Sequence, residues 1–321
     1  MSLVSIVVPV YYNEKSLEAL AERLNWLADT MPQHSFEFVY VDDGSGDQSY
    51  AVMEKIAGRD PRVRLVKLVR NFGSNMAILA GLCHASGDCV GFIAADLQDP
   101  PEAMCEMIRL WEGGKPVVFA VRKDRHGDPF FTRMAANVFN WLFERLVFHG
   151  ISTNGIGFFL IDRQVVDAVV KIQERNSHLI GLILWTGFPY ATVEYERVER
   201  VHGKSRWTFT RKLNYFIDTF AAFSYLPLRL SSFFGFLFAG LGGLYAILVI
   251  ALRLLNLTPA VQGWTALIVV LLVVSGVQLI ILGIMGEYLW RNFDATRRRP
   301  PFIVEKVVGA GDRGSEEKLL T

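Results

Sequence analysis

Residues 36–57 read FEFVYVDDGSGDQSYAVMEKIA. Phe36 to Val41 is an unbroken run of aromatic and β-branched residues around Glu37, which predicts a buried strand. Asp42-Asp43-Gly44-Ser45-Gly46-Asp47 stops the run with turn-forming residues, and Gln48 to Ala57 then carries a helical pattern. The same unit recurs along the first 120 residues. Ser5 to Val10, Val63 to Val69, Val90 to Ala94 and Val117 to Val121 read as further strands. Ser16 to Ala28, Asn75 to Ala85 and Glu102 to Trp111 read as further helices. Such alternation predicts an α/β domain with a mostly parallel sheet and helices on both faces. Ligands of such sheets bind beyond the carboxyl ends of the strands, so the residues just after each run are where chemistry is expected.

Those residues are polar. They are Pro9-Val10-Tyr11-Tyr12-Asn13-Glu14, then Asp42 to Asp47, then Arg70-Asn71-Phe72-Gly73, then Asp96-Leu97-Gln98-Asp99, and finally Arg122-Lys123-Asp124-Arg125. Carboxylates at a strand end suit a hard divalent cation bridging to a diphosphate, and neighbouring arginines suit bidentate phosphate contacts. The set reads as the site of a nucleotide diphosphate. Asp47 and Asp99, each just ahead of a helix, also fit the simpler role of helix caps. A dinucleotide fold is disfavoured, because no G-x-G-x-x-G follows an early strand; Gly155-Ile156-Gly157-Phe158-Phe159-Leu160 lacks the third glycine and enters a strand-like run. No G-x-x-x-x-G-K-[ST] is present either.

The chain has 321 residues, 51% of them hydrophobic, and a net charge of +1. This composition excludes a disordered chain and lacks the basic excess of a nucleic-acid binder. The near-neutral sum hides unlike parts: residues 1–120 hold ten basic and sixteen acidic side chains, whereas residues 197–230 hold seven basic and two acidic. Cys83, Cys89 and Cys105 form no C-x-x-C pair, which argues for a reducing compartment and against a zinc site. The opening residues lack the pattern of a signal peptide, so the N-terminal half is expected in the cytosol.

No charged residue lies between Arg229 and Arg253, nor between Arg253 and Glu287. Ser232 to Leu252 and Trp264 to Met285 are each long enough, at ~1.5 Å per residue, to cross a hydrocarbon core of about 30 Å. They predict a two-helix transmembrane hairpin. Basic residues on both outer flanks put both termini on the cytosolic side of the inner (plasma) membrane. Residues 209–228 mix aromatic and aliphatic residues with Arg211, Lys212 and Asp218, the pattern of amphipathic helices at the interface. Glycines 235, 240, 242 and 243, with Gly276, Gly283 and Gly286, offer faces for close helix contact, within the hairpin or with another subunit.

With these motifs in order, the chain resembles the GT-A fold family 2 glycosyltransferases, and among them the membrane-anchored polyprenyl-phosphate glycosyltransferases. Their members include bactoprenol glucosyltransferases and dolichyl-phosphate mannose synthase. The resemblance rests on Val8 to Glu14, Val41 to Ser45, Arg70 to Gly73, Ala80-Gly81 with Gly87-Asp88, Ala95 to Glu102, Gly203-Lys204-Ser205-Arg206-Trp207 and Gly286-Glu287-Tyr288-Leu289. It implies a GT-A catalytic domain over residues 1–205, interface helices over 206–229, spans over 230–254 and 264–289, and a cytosolic tail over 290–321. It implies that Pro9, Tyr11, Glu14, Asp42 and Asp43 hold the nucleotide, with Asp42 reading the base. It implies that Asp96 and Gln98 ligate Mg²⁺ or Mn²⁺, with Asp43 or Asp99 in the outer shell. Arg122 and Arg125 would meet the donor phosphates, and Arg200, Lys204, Ser205 and Arg206 the lipid phosphate.

The implied reaction is inverting transfer of a sugar, glucose in the nearest subgroup, from a UDP-sugar to a polyprenyl phosphate such as undecaprenyl phosphate. The phosphate acceptor is already anionic and requires no strong general base; Asp162, opening a helix after Gly157 to Ile161, is the candidate if one is used, and it fits a helix cap equally well. The implied partners are the UDP-sugar, the lipid and the membrane, with a homo-oligomer, a tetramer in the family, and no nucleic acid. One departure is Ala94, where the family often has the first Asp of D-x-D, which leaves the metal on Asp96, Gln98 and the diphosphate. A second is the extra tyrosine of Tyr11-Tyr12, either of which could stack on the base. A GDP-mannose-dependent mannose synthase and a catalytically silent membrane scaffold remain the alternatives. A processive polysaccharide synthase is disfavoured by Gly203 where its Q-x-x-R-W motif has Gln. The segment 299–304 is offered to an oligomer, and the chain after Glu305 is expected to lack order.

Overall fold

A computed structural model describes residues 1–123, 155–172, 179–197, 226–255, 263–297 and 299–309. Eight strands form one sheet: β1 (Leu3–Val10), β2 (Ser35–Asp42), β3 (Val63–Leu68), β4 (Cys89–Phe92), β5 (Val117–Arg122), β6 (Ile156–Asp162), β7 (Tyr190–Tyr195) and β8 (Val304–Val308). Their order is β7-β5-β6-β4-β1-β2-β3-β8. β1 pairs in parallel with both β2 and β4, β2 with β3, and β5 with β7, while β6 runs antiparallel to β4 and β5 and β8 antiparallel to β3. The chain winds outward from β1 to β3 and then crosses to β4 on the other side of β1. In such sheets ligands bind at that reversal, beside the loops after β1 and β4.

Period-two alternation divides the core. Val4, Ile6, Val8 and Val10 face one layer, with α1 (Leu17–Thr30), α2 (Ser49–Arg59) and α4 (Glu102–Glu112); Val7, Val39, Val41 and Val66 face the other, with α3 (Ser74–His84), α5 (Arg163–Lys171) and α6 (Leu179–Trp185). Both faces are covered, which explains why the central strands read as continuous apolar runs. The sequence reading placed β1 to β5 and α1 to α4 to within a few residues, but it assigned no strand to residues 190–195.

The chain forms two compact units, Met1–Asn214 with Pro300–Thr321, and Tyr215–Arg299. The expectation of a tail without order after Glu305 is corrected here, because Val304–Val308 is β8 on the free edge of β3. Phe302 is 4% exposed and packs in the layer of Val66 and Leu68, and Lys67 Nζ lies 2.8 Å from Glu305. Of the 299–304 segment, Phe302 is buried, the Ile303 carbonyl accepts from the Val69 N–H at 3.1 Å and Val304 pairs with Leu68, so its end and β8 lie along β3 of their own domain. Residues 300–309 belong with the catalytic sheet and not with a separate tail.

In the second unit, α7 (Leu226–Leu254) and α8 (Trp264–Thr296) touch each other. Pro227 sits in the first turn of α7, where its missing N–H costs nothing. At ~1.5 Å per residue each helix exceeds about 40 Å, longer than a hydrocarbon core. Phe233, Phe236, Leu244, Leu271 and Leu279 are exposed, as lipid-facing side chains are, and both helices are long and apolar enough to cross a membrane. α8 runs past the expected end at 289, and Arg291 reaches back one turn to Glu287 at 2.9 Å. The interface helices expected over 206–229 fall outside the described residues up to 225; residues 226–229 are the first turn of α7.

Candidate active site

The carboxyl ends of β1, β2, β4 and β5 lie along one edge of the sheet, and each carries predicted site residues. Pro9 is the penultimate residue of β1, opposite Val41. Beyond it the chain bends sharply: Tyr12 has φ 59, a left-handed conformation that costs a non-glycine residue about 1 kcal/mol or more. The bend is held by contacts to neighbouring strand ends. The backbone N–H of Tyr12 donates to Ser45 Oγ at 3.1 Å, that of Asn13 to Ser49 Oγ at 2.9 Å, and Ser16 Oγ donates to the Ala95 carbonyl at 2.6 Å. Glu14 Oε2 accepts from the Gln48 N–H at 3.1 Å, which satisfies an orphan donor at the start of α2. The rings of Tyr11 and Tyr12 meet edge to face at 4.7 Å.

Asp42 and Asp43 are adjacent but differ in role. Asp43 accepts three hydrogen bonds, from the Phe72 N–H at 2.7 Å, the Gly73 N–H at 3.0 Å and Asn71 Nδ2 at 2.9 Å. Burial pushes its carboxyl up to about 6 against the pull of the Phe72 and Gly73 donors. Its oxygens are spent on shaping the Arg70–Gly73 loop. Gly44, with φ 71, passes so close to that loop that a Cβ would lie 2.6 Å from the Arg70 carbonyl carbon, so only glycine fits. Asp42 is fully buried; one oxygen accepts from the Ser45 N–H at 3.2 Å, and Oδ2 has no partner among the described residues. Burial raises its carboxyl above the usual range.

Beyond β4 the turn Asp96-Leu97-Gln98-Asp99 passes through Leu97 at φ 62, the second strained non-glycine residue among those described. The Gln98 N–H donates to Asp96 Oδ1 at 3.2 Å, and Arg197 Nη2 donates to Gln98 Oε1 at 2.9 Å. Asp99 is 4% exposed and accepts from the Tyr195 hydroxyl at 2.9 Å; burial raises its carboxyl. Asp99 is therefore not a helix cap; Asp47, one residue ahead of the N-cap Gln48, accepts at Oδ1 from the Ser49 N–H at 3.1 Å. Arg122 ends β5 beside Tyr195, and its Nε is buried with no partner among the described residues.

Among the described residues no three His, Cys, Asp or Glu side chains gather into a metal cage. One carboxylate on a strained turn, at the edge where a diphosphate would enter, fits a cation that keeps most of its ligands from phosphate oxygens and water, as Mg²⁺ does. Gln98 fits less well, because its amide oxygen already accepts from Arg197.

Asp162 is not part of this edge. It opens α5, as the sequence suggested, with Oδ1 accepting from the Gln164 N–H at 3.0 Å and Oδ2 from Trp111 Nε1 at 2.8 Å. Because β6 is antiparallel, its last residue pairs with Cys89, the first of β4, at the opposite end of the sheet. Of the two roles open to it, the structure shows that of helix cap. Arg125, Arg200, Lys204, Ser205 and Arg206 lie outside the described residues. Sequence reasoning missed Tyr195 and Arg197, which no spacing links to residues 98 and 99.

The family model described as glycosyl transferase family 2 matches residues 5–170. A prophage-derived bactoprenol glucosyl transferase of Shigella flexneri is 35% identical, over 94% of this chain and 97% of the relative. An undecaprenyl-phosphate 4-deoxy-4-formamido-L-arabinose transferase of Pseudomonas fluorescens is 38% identical, over 96% of this chain and 91% of the relative. Among solved structures, mannosyl-3-phosphoglycerate synthase from Rubrobacter xylanophilus superposes with a TM-score of 0.49 at 18% identity, over 67% of this chain and 71% of that one.

Proposed function

This chain belongs to glycosyl transferase family 2, and from that premise we propose that it transfers glucose from a UDP-sugar to a polyprenyl phosphate at the cytosolic face of the inner membrane. The carrying observation is that one chain joins a carboxylate-bearing sheet edge to two exposed apolar helices, and that its lipid-phosphate transferase relatives match it across that whole length. The topology of the sheet supports the same reading. β7 leaves and β8 re-enters the sheet at the edge that bears the site, since Tyr195 pairs with Arg122 and Val304 with Leu68. The chain thus leaves the sheet before the apolar helices, and rejoins it after them, at its carboxyl edge.

In this reading Asp42 Oδ2 accepts an N–H from the base. A buried acceptor without a partner costs about 1–3 kcal/mol, which a ligand donor removes. Tyr11 and Glu14 border the nucleoside, with Asp43 acting through the loop it holds. Bound Mg²⁺ or Mn²⁺ would supply charge neutralisation at the diphosphate, held by Asp96 with support from Gln98. Arg122, whose Nε has no partner among the described residues, and Arg125 take the negative charge that grows on the departing diphosphate. Arg200, Lys204, Ser205 and Arg206 hold the lipid phosphate where basic residues crowd ahead of the first span.

The acceptor oxygen attacks the anomeric carbon opposite the leaving group, so the new C–O bond forms as the bond to the β-phosphate breaks and UDP departs with configuration inverted. A phosphate monoester is already anionic near neutral pH, its second pKa being about 6, so the step needs no general base. The absence of Asp162 from this edge is consistent with that chemistry.

The test is to incubate the detergent-solubilised protein with undecaprenyl phosphate and a panel of UDP- and GDP-sugars and to weigh the lipid product. Glucose transferred from the UDP donor, abolished by chelation and restored by Mg²⁺ or Mn²⁺, is the expected outcome. Transfer from GDP-mannose alone would replace this reading with the mannose synthase.

A further inference from the structure

The strained turn of Asp96-Leu97-Gln98-Asp99 needs something to hold it, and its own hydrogen bond from the Gln98 N–H to Asp96 Oδ1 spans only two residues. A left-handed non-glycine residue persists only where its surroundings over-determine it. On the near side the turn is pinned through Ala95, whose carbonyl accepts from Ser16 at the head of α1. The far side is held by β7. Tyr195 ends that strand and donates its hydroxyl to Asp99 in a buried contact, and Arg197, two residues on, donates to Gln98. Tyr195 and Arg197 lie two residues apart, so one short segment grips two consecutive residues of the turn.

The fold makes room for this grip at a cost in sequence freedom. A Cβ at Gly157 would sit 1.9 Å from the Tyr195 hydroxyl oxygen and 2.8 Å from its ring carbon Cζ, so no other residue fits beneath the ring as it lies. The ring itself packs on Phe158 with centroids 5.0 Å apart. Both partners of the buried bond are nearly inaccessible, Tyr195 at 6% and Asp99 at 4% exposure.

Resting on the assignment of Asp96 to the metal–diphosphate group, we infer that Tyr195 and Arg197 are positioning residues that hold the Asp96–Asp99 turn in the geometry that binds that group. They touch neither donor nor acceptor and act through Asp99 and Gln98. Asp99 then serves as the acceptor of the Tyr195 hydroxyl and not as an outer ligand of the cation.

The experiment titrates UDP onto the full-length solubilised protein by calorimetry, with and without Mn²⁺, alongside a thermal melt. Tyr195→Phe keeps the ring and removes one buried hydrogen bond, so the Mn²⁺-dependent affinity for UDP should fall about tenfold. Affinity without Mn²⁺, which reports the nucleoside side, should not move. Asp99→Asn keeps an acceptor for the hydroxyl and should bind UDP with Mn²⁺ within about twofold of wild type, whereas Asp99→Ala should match Tyr195→Phe. Where Tyr195→Phe does not fold, Arg197→Ala at the exposed end of the grip carries the test, with a loss of about threefold.

Unchanged affinity with Mn²⁺ in the folded Tyr195→Phe protein, or in Arg197→Ala where that variant carries the test, overturns the inference. So does an Asp99→Asn protein as impaired as Asp99→Ala, which would make Asp99 a ligand. A wild-type protein whose UDP affinity ignores Mn²⁺ would instead bring down the assignment of Asp96, and the inference with it.

Discussion

The polar clusters at the two edges of the sheet are used in different ways. At the amino edge, Glu37 accepts from Ser5 Oγ at 2.6 Å and the Ser86 N–H at 2.7 Å and pairs with Arg64 at 3.1 Å, while the Gly87 N–H donates to Ser5 Oγ. Arg163 donates to the Gly87 and Ala85 carbonyls, and Asp88 accepts from the Leu3 N–H. These groups answer one another in ordinary backbone geometry. At the carboxyl edge the chain passes through Tyr12 and Leu97 with positive φ, Asp42 Oδ2 and Arg122 Nε have no partner among the described residues, and Asp43 and Asp99 are buried at raised pKa. A polar group that is satisfied holds the fold together; one left unsatisfied on a strained loop is a cost that a ligand can remove.

The largest effect that would sharpen this contrast is at Asp96. Asp96→Ala removes the carboxylate proposed to hold the cation and should lower transfer of radiolabelled sugar to lipid by about a thousandfold, with little change in melting temperature. Full transfer in that variant would break the division between the edges. The amino edge should respond the other way. Glu37→Ala strands Arg64, Ser5 and the Ser86 N–H in a nearly closed site, and the expected loss is about 3 kcal/mol of stability in chemical denaturation. Transfer per folded molecule should stay at the wild-type level, and a drop in it would show that the two edges are coupled.

How far the sequence discloses this arrangement depends on the range of each signal. β1 to β5 and their polar ends are legible because each is a local pattern, an apolar run followed by turn residues, and parallel pairing places those ends on one edge. The long spans are legible from the absence of charge. The antiparallel direction of β6 is not, since a strand has the same period in either direction, and this is why Asp162 reads as a neighbour of the site. β8 is hidden because Val304–Val308, with Glu305 and Lys306 inside it, has the composition of a charged edge strand and follows a long apolar helix. The grip of Tyr195 and Arg197 on residues 98 and 99 spans nearly a hundred positions and leaves no periodic trace.

Asp162 provides the finest test of the comparison, because it is a carboxylate of the same sheet that the contrast assigns to structure alone. Its two oxygens are used in full view: one caps α5 through the Gln164 N–H, and the other accepts from Trp111 of α4. Asp162→Ala should cost about 1–2 kcal/mol from the lost cap and the stranded indole N–H. Asp162→Asn keeps an oxygen for one of those donors and should cost less. Neither should change the rate of transfer per folded molecule or its pH profile, because the acceptor phosphate brings its own charge to the reaction. A rate that falls in Asp162→Asn without loss of stability would return a base to the mechanism and require a route for its proton from one edge of the sheet to the other.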